Sequence, residues 1–208
     1  MGAGEREHWN RVYQTKEPTQ VSWYRAHLET SLELTAQAAP DRASAIIDVG
    51  GGEATLVDDL MARGYGDVTV LDISDAALEV TRRRLGDRAA AVHWVSGDVT
   101  TVALPEERYD VWHDRAVFHF LTDPDRRTAY VRQVARSVRR GGHVIVATFG
   151  PEGPLQCSGL DVVRYDADAL HDEFGARFEL VSHREEVHET PGGRQQQFLW
   201  CFCRLTPR

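Results

Sequence analysis

The run Ala45-Ile46-Ile47-Asp48-Val49 is short and almost wholly apolar, the pattern of a buried strand, and it passes without a break into Gly50-Gly51-Gly52. Helical periodicity follows over 55–63, with Leu56, Leu60 and Met61 on one face. A buried strand, a tight turn and a helix in that order are the opening of a parallel α/β sheet. The three glycines lack the Cβ that would hold a ligand away from the main chain, and they tolerate the positive φ that a strand-to-helix turn needs. A second strand-like run, Asp67-Val68-Thr69-Val70-Leu71-Asp72, ends on a carboxylate. That acid falls about 20 residues after the turn, where adenosine-binding α/β folds hold ribose hydroxyls. The two features together predict a bound adenosine.

Glycine spacing decides which adenosine compound. A dinucleotide fingerprint, Gly-x-Gly-x-x-Gly, counted from Gly50 demands glycine where this chain has Thr55. The residues from Asp48 to Ala54 instead read Asp-x-Gly-x-Gly-x-Ala. In this stretch the chain resembles the class I S-adenosylmethionine-dependent methyltransferases, whose first motif is acid-x-Gly-x-Gly-x-Gly; Ala54 replaces the last glycine. The resemblance spans nearly the whole chain and is nearest to a compact bacterial subgroup with little insertion beyond the core. It implies an α/β, three-layer Rossmann-like fold with a seven-stranded, mostly parallel sheet in the order 3-2-1-4-5-7-6, strand 7 antiparallel. It also implies S-adenosylmethionine as cofactor, S-adenosylhomocysteine as its spent form, and no metal. Implied cofactor contacts are Asp48, Gly50, Gly51, Gly52, Asp72 with the adjoining Ile73 and Ser74, and Asp98 with Val99. Asp98 would accept from the adenine amino group; without the resemblance it reads as a turn aspartate.

The remaining elements follow from punctuation. Before the first strand the segment 1–40 is rich in aromatics, Trp9, Tyr13, Trp23 and Tyr24, with Leu28, Leu32 and Leu34 suggesting a helix, and it reads as an N-terminal helical lid on a core of residues 41–208. Ser74 or Asp75 can cap a helix over 76–85 that Gly86 stops. A third strand over 92–95 and a fourth over 109–114 come next. Asp123-Pro124 opens a helix expected to run through 138 and end at Gly141-Gly142, leaving 143–149 as the fifth strand. A helix over 166–174 precedes two strands, 178–188 and 195–205, joined by Thr190-Pro191-Gly192-Gly193 as a hairpin. No linker or repeat divides the 208 residues, and a single domain is expected.

Composition narrows the partners. With 24 basic and 32 acidic residues the formal charge is −8, and the arginine runs fall on helical patterns, which argues against duplex nucleic acid as a substrate. Three cysteines, Cys157, Cys201 and Cys203, make neither a disulfide framework nor a zinc spacing. No signal-peptide core or long apolar run is present, so neither secretion nor a membrane partner is expected and the location reads as cytoplasmic.

A sulfonium-borne methyl is already activated, so the protein has mainly to hold a nucleophile in line with it. Trp9, Tyr13, Trp23 and Tyr24 could flank that cation. The stretch His113-Asp114-Arg115-Ala116-Val117-Phe118-His119, after the fourth strand, carries the candidate catalytic pair Asp114 and His119, either of which could orient a nucleophile or take its proton; Asp114 is placed among the cofactor contacts as well. Arg115 could pair with Asp114 or bind an anion, and His119 could equally be a structural histidine. Substrate contacts are expected from Tyr24, Arg115, His119 and Cys157, the last either a pocket or a core thiol. The compact chain favours a small-molecule acceptor, and its loose similarity to small-thiol methyltransferases favours a thiol or other soft nucleophile. A protein lysine or histidine methyltransferase, with an open acidic groove, is the alternative; a non-catalytic S-adenosylmethionine-binding module is another.

Overall fold

Strands whose successive side chains are all apolar can be buried only if both faces of their sheet are covered. Ile46 and Ile47 on the first strand, Val111 and Trp112 on the fourth, and Trp200 and Cys201 on the last point alternately into two cores, one on each face. All six are almost fully buried. Each large side chain buried this way contributes roughly 1.5–3 kcal/mol relative to exposure.

The computed structural model describes residues 2–206. Its main sheet contains β1 (Ala45–Val49), β2 (Asp67–Asp72), β3 (Val92–Ser96), β4 (Tyr109–Arg115), β5 (Val138–Phe149), β6 (Phe178–Glu189) and β7 (Gln195–Leu205). The spatial order is β3-β2-β1-β4-β5-β7-β6; β1 to β5 are mutually parallel, and β7 runs antiparallel to both neighbours. This is the Rossmann-like architecture that the family resemblance implies. The helices are α1 (Gly2–Thr15), α2 (Glu29–Ala38), α3 (Leu56–Ala62), α4 (Asp75–Leu85), α5 (Pro124–Ser137) and α6 (Ala167–Phe174). A two-residue ribbon, Gln156–Cys157 against Leu160–Asp161, folds the loop after β5. Among the described residues no helix is long and apolar enough to cross a membrane.

Register sets the site. Val49 lies opposite both Leu71 and Asp114, and Asp72 lies opposite Ser96, so the carboxyl ends of β1 to β4 finish on one rim. Right-handed crossovers bring every following loop to that rim. Helix starts there are well capped: the Ser74 hydroxyl accepts from the Ala77 amide of α4, and Asp123 accepts from the Asp125 amide before α5. Helix α1 is tied across the rim by Ser74 Oγ donating to Asn10 Oδ1 at 2.7 Å and by Arg6 pairing with Asp75 at 2.8 Å.

One boundary differs from expectation. Helix α5 ends at Ser137, because Val138 is already extended and pairs with Tyr109. The glycines do not cap the helix. Tyr109 faces Val138 while Val111 faces His143, so residues 139–142 form a bulge in β5, with Gly141 at φ +76°.

A buried polar chain crosses the face beneath α5. The Trp112 indole donates to the Tyr130 hydroxyl at 2.9 Å, and that hydroxyl donates to Asp114 Oδ2 at 2.6 Å. Tyr130→Phe removes a link from both partners, and a loss of about 1–3 kcal/mol in unfolding free energy is expected by urea titration.

Candidate functional site

The glycine turn has its sequence because carboxylates crowd it. Gly50 has φ +69°, its amide donates to the Leu71 carbonyl at 2.7 Å, and a Cβ there would collide with Val117. A Cβ on Gly51 would overlap Asp48 Oδ2, and one on Gly52 would stand 2.6 Å from Asp72 Oδ2. Side chains at these positions would displace both acids. Asp48 is buried; its Oδ1 meets His113 Nδ1 at 2.7 Å, and His113 Nε2 meets the Ser31 hydroxyl at 2.9 Å. The other oxygen, Oδ2, has no partner.

Two further acids close the cluster. Asp72 is 4 % exposed and accepts from the Ser74 amide at 2.8 Å. Burial drives its pKa up to about 7, against the pull of backbone amides at Ser74, Gly52 and Ile73. Glu53 is 6 % exposed with neither oxygen hydrogen-bonded. Burial likewise lifts it to about 7, although Arg84 opposes the shift. The Tyr13 hydroxyl is held well above its ordinary pKa by burial and then by the fields of Asp72 and Glu53. Buried carboxyls without counter-ions suit a ligand that brings its own positive charge.

Above them lies a cavity of ≈ 320 Å³ bounded by the rim and by α1. Trp9 packs on Tyr13, Trp23 and Phe120 with ring centroids 5.9, 6.0 and 5.1 Å away, and all four rings line the space. Gly50, Asp72, Ile73, Asp98, Val99, Arg115 and Cys157, all candidates from the sequence, line it too. A narrower crevice of ≈ 40 Å³ beside the glycine turn takes in Asp48, Gly51, Glu53 and Tyr24, and shares Trp23, Gly50 and Arg115 with the cavity. Tyr24 therefore faces the turn, apart from the main space. Asp98 lies in the cavity wall with both oxygens engaged, Oδ1 by the Thr100 amide and hydroxyl and Oδ2 by Arg126 at 2.9 Å. Burial would raise this acid, but the bonds from Thr100 and Arg126 outweigh it and hold its pKa below the usual value. Cys157 is pushed up to about 11 by burial, so its thiol stays protonated near neutral pH.

Four expected contacts lie elsewhere. Asp114 is fully buried and accepts from the Val117 amide at 2.8 Å, the Phe118 amide at 3.1 Å and the Tyr130 hydroxyl. It braces the turn after β4, where Ala116 has φ +73°, and does not reach the cavity. His119 is also fully buried, its Nδ1 accepting from the Phe149 amide and its ring packed against Phe120 and Phe149. Burial, helped by Arg115, lowers it to about 3. Neither group is placed to take a proton from a molecule in the cavity. Ser74 is spent on capping α4 and holding Asn10, and Gly52 sits beneath Asp72. Sequence reasoning missed the pair Arg126 and Glu5, joined at 2.5 Å, which holds Asp98 from α5 and α1. Their separation of 121 residues and their helical surroundings give no local signal.

Residues 46–142 match the family profile described as a methyltransferase domain. The spans matched are those that carry the turn, the acids and the rim. Together with the sheet order, that match supports a class I S-adenosylmethionine-dependent methyltransferase. Its cofactor is S-adenosylmethionine. The fit is direct: the donor carries a sulfonium and an ammonium, and this methyltransferase has the unpartnered oxygens of Glu53, the free Oδ2 of Asp48 and the buried Asp72 carboxyl around a turn that no Cβ fills. A mouse (Mus musculus) eEF1A lysine and N-terminal methyltransferase is 27% identical over 143 residues, covering 68% of this chain and 20% of that protein, so this chain spans about a fifth of that relative. A structure from work on conversion of a disulfide bond into a thioacetal group during echinomycin biosynthesis superposes with TM-score 0.79 at 20% identity, covering 97% of this chain and 91% of the other. The 1,6-didemethyltoxoflavin-N1-methyltransferase of Burkholderia thailandensis, with its substrate and S-adenosylhomocysteine bound, superposes at TM-score 0.68 and 18% identity, covering 98% and 85%.

Cofactor affinity should depend on pH. A cation that accepts company only from the ionised acids releases a proton as it binds, so affinity is lost as pH falls through 7. Protonation of Asp72 alone, with its pKa raised to about 7, would raise the Kd for S-adenosylmethionine about tenfold from pH 8 down to pH 6. Calorimetry in two buffers of different ionisation enthalpy should show proton release, and Asp72→Asn should flatten the profile.

Proposed function

We propose that this methyltransferase moves a methyl group by in-line displacement onto a small-molecule acceptor that presents a thiol or another soft nucleophile. The observation that carries this is the wall of the cavity beyond β4. Phe120, Phe149, Phe198 and Leu160 make it largely apolar, no histidine among the described residues lines it, and the Asp161 carboxylate at its edge accepts from the Gln156 amide at 2.8 Å. Bound S-adenosylmethionine supplies a methyl already activated as a sulfonium. The chain's own residues then have three tasks.

Asp72 would hold the ribose hydroxyls, and the bare main chain of Gly50 and Gly51 would admit the methionyl end, with Asp48 and Glu53 offsetting its charge. Ile73, Val99 and Asp98, which line the same cavity, would hold the base. Trp9, Tyr13 and Trp23, carried by residues 1–40 over the core of residues 41–208, face the sulfonium and keep water out; cation–π contacts of this kind contribute about 0.5–2 kcal/mol each. An acceptor that ionises without help suits a wall with no histidine and a carboxylate already engaged by Gln156. A thiol, with an ordinary pKa near about 8.5, meets that requirement and gives its proton to water. An alcohol does not. Sulfur chemistry on the same fold, in the neighbour linked to disulfide-to-thioacetal conversion, supports the reading at the level of fold only.

A second reading, methylation of a protein side chain or N-terminus, is favoured by the mouse relative. Transfer of a labelled methyl, surveyed across thiols, amines, phenols and a cell-protein extract, separates the two. Label is expected on small thiols. Label on polypeptide alone would overturn the small-acceptor reading, and cofactor binding without transfer to any class would leave a binding module.

A further inference from the structure

Arg115 ends β4 and borders both the cavity and the crevice. On sequence it has two possible partners, Asp114 or an anion. The first is closed off, since Asp114 is fully occupied by the Val117 and Phe118 amides and the Tyr130 hydroxyl. One guanidinium nitrogen donates to the Trp23 carbonyl at 3.1 Å, and the group lies 4.8 Å from the centre of the Phe198 ring. The carboxylates whose fields reach it are committed elsewhere: Glu186 to Arg25 and the Trp200 indole, Asp48 to His113. Burial without a counter-ion lowers its pKa to about 10. A guanidinium is a planar fork that matches a carboxylate through two parallel hydrogen bonds, and a desolvated cation is costly until such a partner arrives.

Topology says from which side the partner comes. In the sheet order, β2 and β3, which present Asp72 and Asp98, lie on one side of β4; β5 and β7, which present Phe149 and Phe198, lie on the other. The ring of Phe198 holds the guanidinium on that second side, with Cys157 and Gln196. We propose that the methyl acceptor carries a carboxylate and that Arg115 binds it. The proposal rests on reading the cavity as an acceptor site for small molecules.

The test uses protein saturated with S-adenosylhomocysteine, titrated in parallel with phenylacetate and phenylacetamide and followed by calorimetry and ligand-observed NMR. Wild-type protein is expected to bind the carboxylate about tenfold more tightly than the amide. Arg115→Gln is expected to bring that ratio to about one while S-adenosylhomocysteine affinity changes by less than about twofold, and Arg115→Lys to keep part of the preference. Equal binding of acid and amide to the wild type, or binding of neither, overturns the proposal without recourse to any variant. It is overturned as well if Arg115→Gln weakens S-adenosylhomocysteine about tenfold and leaves the acid-to-amide ratio intact, which would put the guanidinium on the methionyl carboxylate. Failure of the wild type to bind S-adenosylhomocysteine would be a failure of the cofactor site itself, and both readings would fall together.

Discussion

Everything at the rim depends on the absence of side chains at Gly50, Gly51 and Gly52. Three Cβ atoms placed there would meet Val117, Asp48 and Asp72 respectively. These neighbours come from the turn after β4, from β1 and from β2, so the glycine run is the point where three strand ends converge. Register makes the convergence possible, because Val49 pairs level with Leu71 on one side and Asp114 on the other. A substitution in the run would not merely narrow a pocket. It would push apart the acids that give the pocket its charge.

Those acids pose an electrostatic problem that the protein alone leaves unresolved. A carboxylate removed from water needs hydrogen bonds or a counter-charge. Asp114 obtains two amides and a phenol, and Asp98 obtains Thr100 and Arg126. Burial still lifts Asp114 to about 6 and Asp72, despite its backbone amides, to about 7. The difference between supporting acids and acids left for a ligand lies in access: Asp72 borders the cavity where Asp114 does not, and Glu53 has no hydrogen bond at all. Helix α1 sharpens it by burying Tyr13 beside Asp72 and Glu53, which excludes the water that would otherwise solvate them.

The fold and the identity of the cofactor were legible because they rest on local pattern. Strands β1, β2 and β7 follow from apolar runs and turn residues to the very residue, and Asp72 follows from its distance to the glycines. The β5 boundary did not, since Gly141 and Gly142 serve a bulge that only the pairing with β4 defines. His119 and Asp114 were misplaced for a related reason. Polar residues after a strand end look like active-site groups, but here the chain turns them inward to support Phe149 and the Val117 turn. Arg126 and Glu5 were invisible because their partner, Asp98, is brought to them only by tertiary packing.

With Asp114 and His119 withdrawn into the core, the acceptor side of the cavity is left with a largely apolar wall, a protonated thiol at Cys157, the Asp161 carboxylate engaged by Gln156, and one cation, Arg115. Such a wall offers no histidine base, and holding two reactants in line can be worth several kcal/mol when the geometry is fixed. Fixing a small apolar molecule requires at least one directional contact. Arg115 is suited to provide it: the Trp23 carbonyl and the Phe198 ring hold the guanidinium in place, leaving the rest of the fork toward the cavity. The same residue ties the aromatic N-terminal segment to the sheet through Trp23. That single main-chain bond orders the guanidinium more than it holds the segment, since α1 is tied to the rim independently by Asn10 and Arg6.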